Sequence, residues 1–389
     1  MTSSPLFDPA VHESLTDEVW DPVQIQVAIR TIVDDAESTF ADGWPTHPVD
    51  SESDSDTKRR FRTIYLGGAG VVQALDALQR RDLAEVRRNY VPYLEQPYEP
   101  DFLDEDHERS LWMGETGIRL VLQRLAPSAE NADRLATLIR ANSHDERCEL
   151  MWGSPGTMLA AGAMHELSGE ARWLELWHES AAWLRGQWDP ETDLWTQRLY
   201  GHVEQFIGPA HGFAGCALAL SRFADEELHR RAAAATRRFA VEAEGLANWP
   251  PLASMEGLQN ARGETRVQWC HGSPGIVASL ADIAPGDDEH ERLLIAGGEL
   301  TWHAGPLAKG ANLCHGTAGN GYAFLALFQR TGDELWLERA RAFAMHGAAQ
   351  VERAREQHGQ GRYTLWTGDP GTALYLADCI DGSLNVPIA

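Results

Sequence analysis

The chain has 389 residues, 58 of them acidic and 33 basic, which gives a formal charge of −25. A chain of this length can bury a large core, and 43% hydrophobic with 23% charged residues is typical of a folded protein rather than a disordered polyanion. The acidity argues against a nucleic-acid binder, which needs a basic surface, and against binding to anionic lipid.

The N-terminal region shows no targeting or membrane signal. It lacks the basic start and apolar run of a secretory signal, and no stretch of about 18 apolar residues occurs in the sequence. We therefore expect a cytoplasmic protein without a membrane span. Residues 1–60 are predicted to form one helical segment and a linker, and residues 61–389 a single repeat domain.

From residue 67 onward, one short pattern recurs seven times: a glycine, two residues, a second glycine and an apolar run. The spacings between successive copies are 47, 39, 59, 60, 44 and 52 residues. Each copy predicts a sharp turn, for which glycine supplies backbone freedom, followed by a helix that is apolar on all sides and therefore buried. The first glycines of the seven copies are Gly67, Gly114, Gly153, Gly212, Gly272, Gly316 and Gly368.

The segments between the copies are more polar and have helical periodicity. A repeat is therefore one outer helix, a loop and one inner helix. Seven such hairpins predict an all-α protein, an α/α toroid with about fourteen helices in two concentric layers. The glycine loops should then meet at one end of the barrel, which is the expected site. The acidic run from Glu99 to Glu108 is predicted to be a solvated loop.

Equivalent positions of the repeats carry cysteine and histidine. Two residues before the first glycine, copies five and six have Cys270 and Cys314. One residue before it, copies four, five and six have His211, His271 and His315. Equivalent positions in a closed ring point at one axis, so these groups should converge there. Sulfur and nitrogen ligands indicate Zn²⁺, and the helix N-termini favour thiolate. The other cysteines, Cys148, Cys216 and Cys379, are predicted to be buried packing residues.

Three sequence strings carry a resemblance to a known family. WCHGSPG from Trp269, LCHGTAGNGY from Leu313 and GPAHGFAG from Gly208 resemble the lanthionine synthetase C-like family. That family comprises the cyclases of lantibiotic biosynthesis and their relatives. The resemblance runs from about residue 60 to the end of the sequence, and it implies an α/α toroid that holds a single zinc ion.

The resemblance also implies roles for individual residues. Cys270, Cys314 and His315 are the expected zinc ligands, and His211 matches the catalytic histidine of the family, an acid/base. Arg266 matches an arginine that the cyclases carry near the site.

Two positions leave alternatives open. Glu149 stands where the family has its catalytic aspartate. The longer carboxylate can still orient His211, or the role is lost, or Asp145 replaces it. The offset alone does not decide between His271 and His315 as the metal ligand. The family pattern favours His315 and leaves His271 as a group behind the ligands or beside the substrate.

The implied reaction is the zinc-dependent addition of a cysteine thiol to dehydroalanine or dehydrobutyrine, which forms a thioether. Zinc stabilises the thiolate, His211 protonates the enolate at Cα, and Arg266 stabilises the enolate charge. The expected substrate is a dehydrated peptide or protein. A separate dehydratase is expected to supply it, because no fused dehydratase or kinase domain is recognised.

Three other functions remain in view. In the first, glutathione supplies the thiol. In the second, the toroid processes carbohydrate, which requires two carboxylates at a cleft and uses some of the 14 tryptophans. Helical spacing favours packing for these tryptophans, and that function leaves the cysteines without a task. The third is a metal-stabilised scaffold without catalysis, which the departure at Glu149 keeps open. The tryptophans considered for carbohydrate binding are Trp173, Trp177, Trp183 and Trp188.

Overall fold

A computed structural model describes residues 6–51, 59–101, 108–253 and 265–388. Within these ranges, fourteen α-helices alternate between an outer and an inner layer. The outer helices are α1 (Pro22–Thr39), α3 (Val91–Leu94), α5 (Ala129–Asn142), α7 (Ala171–Gly186), α9 (Glu226–Phe239), α11 (Asp288–Ala304) and α13 (Glu334–His358). The inner helices are α2 (Gly68–Arg80), α4 (Glu115–Leu125), α6 (Ser154–Ser168), α8 (Phe213–Ser221), α10 (Ser273–Leu280), α12 (Thr317–Thr331) and α14 (Asp369–Asp381).

The inner helices close into a ring. Each inner helix packs against the next one along the chain, and α14, the last, packs against α2, the first. The seven outer helices surround this ring, so the structure confirms the predicted all-α toroid of two concentric layers.

Burial separates the two layers as the sequence pattern predicts. Every residue of α14 from Asp369 to Cys379 is buried, and a helix that is buried on all sides belongs in the interior. The outer helix α9 instead buries one face, with Leu228 and Ala232, and exposes Arg237 on the other. Hydrophobic burial on one face therefore holds the outer layer against the inner ring.

The outer layer is uneven around the ring. Helix α3 is a single turn of four residues, whereas α13 has 25 residues. Helix α1 packs against α13 and α14, and its residues Ile25 and Ile29 belong to the main hydrophobic core. The boundary near residue 60 stays a prediction, but α1 is packed as an outer helix of the ring.

The second glycine of each copy is needed for close packing. A Cβ atom there would lie only 1.7–2.3 Å from the carbonyl oxygen of the residue six positions earlier, in all seven copies. The closest case is Gly319 against the Leu313 carbonyl, at 1.7 Å. Among the first glycines, only Gly272 has a positive φ, +118°. The expectation that the turns need the backbone freedom of glycine is thus wrong except at Gly272, because close approach of the backbone is the general reason.

Two β-hairpins were not predicted from the sequence. Strands β1 (Gln197–Leu199) and β2 (His202–Glu204) pair antiparallel, as do β3 (Val241–Ala243) and β4 (Leu246–Asn248). They lie in the two longest intervals between glycine copies, of 59 and 60 residues. The extra length of these intervals is the sequence signal for the hairpins.

Two further predictions meet the structure here. Of the acidic run, residues 102–107 lie outside the described residues, but Asp101 is buried and accepts hydrogen bonds from the backbone N–H groups of Arg62 and Thr63. The prediction of a solvated loop is therefore wrong at Asp101. The tryptophans of the α7 region lie in the core or against it, where Trp173 is fully buried, which supports packing rather than sugar binding. No helix among the described residues is both long and apolar enough to cross a bilayer.

Candidate metal and catalytic site

The residues two positions before the first glycine line the end of the ring at which the glycine loops meet, here called the rim. The backbone N–H of Cys270 donates to the Cys314 carbonyl at 3.0 Å, and Cys314 donates to Trp366 at 2.8 Å. Trp366 donates in turn to Tyr65 at 3.4 Å, and Tyr65 to Trp112 at 3.0 Å. These bonds connect five of the seven copies from one repeat to the next. The repeat therefore brings residues far apart in sequence to one place.

Three of the predicted residues form a cluster that can hold a metal ion. The ligand atoms of Cys270, Cys314 and His315 all lie within 4.8 Å of one another. Tetrahedral zinc, with bonds of about 2.0–2.3 Å, places its ligand atoms roughly 3.5–3.8 Å apart, so small adjustments of the side chains bring them to coordination distance. Two sulfurs and one nitrogen suit zinc, and three protein ligands leave one position for a substrate.

Two polar side chains that sequence reasoning missed contact the sulfurs. The Gln268 amide Nε2 donates to Cys270 Sγ at 3.0 Å, and the Tyr65 hydroxyl donates to Cys314 Sγ at 3.0 Å. Groups behind metal ligands fix the orientation of those ligands. Tyr65 stands at the same offset from its glycine as the two cysteines, and this equivalence is the signal that could have identified it.

The thiols of Cys270 and Cys314 shift each other's pKa in opposite directions. Hydrogen bonding from Cys314, against an opposing effect of burial, lowers the pKa of Cys270 well below its usual value, and His315 adds to the lowering. The bond to Cys270, together with burial, raises the pKa of Cys314. These directions favour loss of the proton from Cys270 before Cys314, and a thiolate is the form that binds metal.

The carboxylate of Glu149 is fully buried, and both of its oxygens accept hydrogen bonds. Its Oε1 accepts from the backbone N–H groups of Trp152 at 2.6 Å and Gly153 at 3.0 Å. Its Oε2 accepts from Met151 N–H at 2.9 Å and lies 3.0 Å from Nδ1 of His211. Three amides and an imidazole thus replace the water that the carboxylate loses on burial.

Asp145, the alternative carboxylate, is paired elsewhere. Its Oδ1 accepts from Nε of Arg147 at 2.8 Å. In the structure, Glu149 and not Asp145 is the carboxylate at His211.

Glu149 sets the properties of His211. Burial alone would lower the pKa of this imidazole, but the hydrogen bond to Glu149 and its negative charge raise it, and the net shift is upward. The bond at Nδ1 also fixes the ring orientation and leaves Nε2 as the nitrogen that carries a transferable proton.

His271 lies close to both Cys270 of the cluster and His211. It follows Cys270 in the chain, its ring centre is 6.1 Å from that of His211, and its buried Nδ1 has no hydrogen-bond partner within the described part of the chain. Burial lowers its pKa, as do the positive charges of His211 and Arg266, against the raising effect of Cys270. The group of residues that can hold a metal contains His315 and not His271.

Arg266 is exposed at the edge of the site. Its charge reaches His271, and its backbone carbonyl accepts from the Asn248 side chain at 3.2 Å. The described residues include no ion-pair partner for its guanidinium, and Glu149 is bonded to His211 instead.

Comparison with known proteins assigns the fold and the site to a family. A family model described as lanthionine synthetase C-like protein matches residues 62–388. The chain belongs to this family. The match spans all seven glycine copies and every residue of the site named above.

Individual relatives of this lanthionine synthetase C-like protein are similar over part of their length. LanC-like protein GCL1 of Arabidopsis thaliana is 32% identical over 187 residues, 46% of this chain and 42% of that protein. Glutathione S-transferase LANCL1 of Danio rerio is 37% identical over 123 residues, 29% of this chain and 28% of that protein. The matched part of the chain thus spans less than half of the length of these relatives.

The structure of nisin cyclase has the same fold as this lanthionine synthetase C-like chain. The TM-score is 0.61 at 16% sequence identity, over 83% of this chain and 89% of that one. A likeness at this identity concerns the fold, and it agrees with the closed ring described above.

The three thiols outside the proposed metal cluster are buried. Burial, above all, raises the pKa of Cys148 to about 12. It likewise raises the pKa values of Cys216 and Cys379. A buried thiol with a raised pKa is unreactive, in agreement with the predicted packing role of these three residues.

Proposed function

We propose that the protein is a zinc-dependent enzyme that forms thioethers, by adding a cysteine thiol to a dehydroalanine or dehydrobutyrine residue of a peptide. The observation that carries this proposal is the position of the Glu149–His211 pair near the cluster of Cys270, Cys314 and His315. The charge of Cys270 acts on His211, and the ring of His271, the residue after Cys270, is centred 6.1 Å from that of His211. The proposed proton donor thus lies close to the proposed metal cluster.

Cys270, Cys314 and His315 would hold the zinc ion, and family membership adds support to this donor set. Zinc bound there would stabilise the substrate sulfur as a thiolate at neutral pH. Gln268 and Tyr65 keep the two protein sulfurs in place through the hydrogen bonds described above.

His211 is the proposed acid. When the substrate sulfur bonds to the alkene β-carbon, the π electrons move toward Cα and the carbonyl oxygen. The resulting enolate takes the proton from Nε2 of His211. The thiol's own proton leaves to solvent, and solvent returns one proton to His211, so protons balance over the cycle. Glu149 favours the protonated imidazole before this transfer and holds Nδ1 throughout.

Arg266 and His271 have supporting roles in this proposal. The guanidinium of Arg266 is exposed at the mouth of the site, where it can stabilise negative charge on the carbonyl oxygen. The unpartnered Nδ1 of His271 supplies a buried hydrogen-bonding group that an incoming substrate can satisfy.

The test is an assay with a peptide that contains both a cysteine and a dehydroalanine. Cyclisation leaves the mass unchanged, so free thiol is counted by alkylation and mass spectrometry while zinc is measured on the same protein. We expect about one zinc per chain and loss of the alkylated product over time. Bound zinc with full retention of free thiol would contradict the proposal and favour a metal-stabilised scaffold.

A second candidate is the addition of glutathione to dehydroamino acids, which the similarity to LANCL1 favours. The same assay separates the two candidates when the peptide carries no cysteine. Glutathione addition increases the acceptor mass by one glutathione, whereas a peptide cyclase leaves this acceptor unchanged.

The substrate and the setting follow from the chemistry. A dehydroamino acid arises by loss of water from serine or threonine, so a separate dehydrating enzyme is the proposed partner. We also propose a cytoplasmic location, because the five cysteines are all free thiols, and that compartment keeps thiols reduced.

A further inference from the structure

One aromatic side chain at the site has an unusual backbone. Tyr200 and Gly201 connect strands β1 and β2, with φ angles of +55° and +78°. Glycine adopts such angles readily, but a bulky residue rarely does. Tyr200 is also 67% exposed, so burial does not account for a tyrosine at this position.

The exposed side chain is nevertheless held in place beside the proposed acid. Nε1 of Trp152 donates a hydrogen bond to the Tyr200 hydroxyl at 3.2 Å. The Tyr200 ring lies edge-on to the imidazole of His211, with ring centres 6.0 Å apart and an interplanar angle of 82°. Separations of this size are typical of aromatic pairs. One face of the pocket around His211 is therefore an oriented tyrosine that remains open to solvent.

The base of the hairpin is fixed to the loop that carries the carboxylate of the site. Gln197, at the start of β1, is fully buried; its amide donates to the Cys148 carbonyl at 3.0 Å and accepts from Phe206 N–H at 2.8 Å. Cys148 immediately precedes Glu149. The hairpin is thus attached to the catalytic loop and extends over His211.

The second hairpin shows that the turn itself does not require tyrosine. Glu244 and Gly245 connect β3 and β4 with φ angles of +54° and +82°, nearly the same as Tyr200 and Gly201. Glu244 is exposed. The same turn conformation therefore accepts a residue without an aromatic ring. The ring of Tyr200 is explained by its position at the site and not by the turn.

We propose that Tyr200 is a specificity-determining residue, whose ring contacts the acceptor peptide at the residues beside the dehydroamino acid. This inference rests on the proposed function. The acceptor Cα must reach His211, and consecutive Cα atoms are 3.8 Å apart. A residue one or two positions along the peptide is therefore within reach of a ring centred 6.0 Å from the imidazole. The preferred acceptor is thus a dehydroamino acid within an extended peptide, with an apolar or aromatic neighbour that packs on Tyr200.

The test compares two acceptors with one small thiol: a dehydroalanine peptide with an aromatic neighbour, and N-acetyldehydroalanine amide, which has no flanking residues. In Tyr200→Ala we expect the KM for the peptide to rise roughly two- to tenfold, the range for loss of one aromatic pair. The KM for the small acceptor should stay unchanged. Glu244→Ala, the matched change at the other hairpin, should alter neither acceptor.

Two more variants separate contact with the peptide from a structural role. Tyr200→Phe keeps the ring and should keep the KM for the peptide near that of the wild type. Tyr200→Gly relieves the positive φ, so its melting temperature should be equal to or above that of the wild type while the KM for the peptide rises. Equal losses on both acceptors would overturn the role of Tyr200. A wild-type protein inactive on both acceptors would instead overturn the proposed function.

Discussion

The rim of the ring has two sides, which have the same pattern of backbone hydrogen bonds but different side chains. Copies one, two and seven place Tyr65, Trp112 and Trp366 two residues before the first glycine, whereas copies five and six place Cys270 and Cys314 there. The same chain of backbone hydrogen bonds connects all five residues. The repeat therefore supplies the convergence of the site, and a few substitutions at equivalent positions supply its chemistry.

The aromatic side of the rim supports the ionisable side. The ring centres of Trp112 and Trp366 are 4.3 Å apart, and those of Trp269 and Trp366 are 4.6 Å apart. Tyr65 stacks parallel to Trp366, at 6.3 Å, and donates its hydroxyl to Cys314. A packed aromatic wall of this kind keeps water from one side of the sulfurs, which strengthens their electrostatic interactions.

The largest effect should come from removing a sulfur on the ionisable side. In Cys314→Ala we expect zinc to fall from about one per chain to near zero, because two ligands hold the ion poorly, and activity to be lost with it. Metal analysis by plasma mass spectrometry checks this. The control is Cys379→Ala, which removes an equally buried thiol within α14, away from the rim. Full zinc in Cys314→Ala would show that the metal does not bind at this cluster.

The next effect separates the proton donor from the metal cluster. His211→Asn should keep its zinc and lose turnover by about 10²–10⁴-fold, the usual contribution of a general acid. His178→Asn, a change at an exposed histidine outside the site, should leave turnover unaffected. Both quantities are measured on the same preparation. Turnover equal to that of the wild type in His211→Asn would remove the acid role.

A smaller effect concerns the pH dependence that Glu149 gives to His211. The reaction needs the protonated imidazole, so its rate should fall as pH rises through the raised pKa of His211. Glu149→Gln removes the charge that raises this pKa, and the fall in rate should then occur at lower pH. A pH–rate profile of both proteins measures the shift. An unchanged profile would mean that another group sets the alkaline limb.

Glu149→Gln also tests stability. The glutamine amide has one acceptor oxygen, and its NH2 group cannot accept from a backbone N–H. At least one of the three backbone N–H groups therefore loses its acceptor, which costs about 1–3 kcal/mol. The raised pKa of His211 stabilises the wild type below the unfolded value near 6.5, and this contribution is lost as pH rises through the folded pKa. The difference in unfolding free energy between the two proteins should therefore narrow with rising pH.

The sequence predicted the features that recur from one repeat to the next. The seven glycine copies predicted the closed ring, and the matched offsets of Cys270 and Cys314 predicted their convergence. Contacts between different kinds of side chain have no such pattern. The hydrogen bond from Gln268 to Cys270 depends on the local turn. The three backbone hydrogen bonds to the Glu149 carboxylate depend on the path of its loop. The hairpin that brings Tyr200 to His211 follows from an interval length that by itself predicts only extra chain.

Another pair of equivalent positions lies one residue after the first glycine, away from the proposed chemistry. Burial raises the pKa of Asp369, in copy seven, to about 6. Glu115, in copy two, is also buried, but hydrogen bonds from Arg134 and Arg119 outweigh burial and lower its pKa. The same position in the repeat thus carries a carboxylate that is penalised in one copy and stabilised in the other.

Neutral substitutions should therefore act in opposite directions. The charge of Asp369 is costly once pH exceeds its pKa of about 6, so Asp369→Asn should raise the free energy of unfolding at pH 7.5 by up to about 3 kcal/mol, at 1.36 kcal/mol per pKa unit. That gain should shrink as pH falls through 6 toward the unfolded value of 3.8. Glu115→Gln removes the negative charge and one of the two oxygens that accept from Arg119 and Arg134. It should lower stability by about 1–3 kcal/mol above pH 5, with the loss shrinking at lower pH. Urea unfolding from pH 4 to 8 measures both curves. Shifts of the same sign for the two variants would show that the charge partners of this position do not decide its energy.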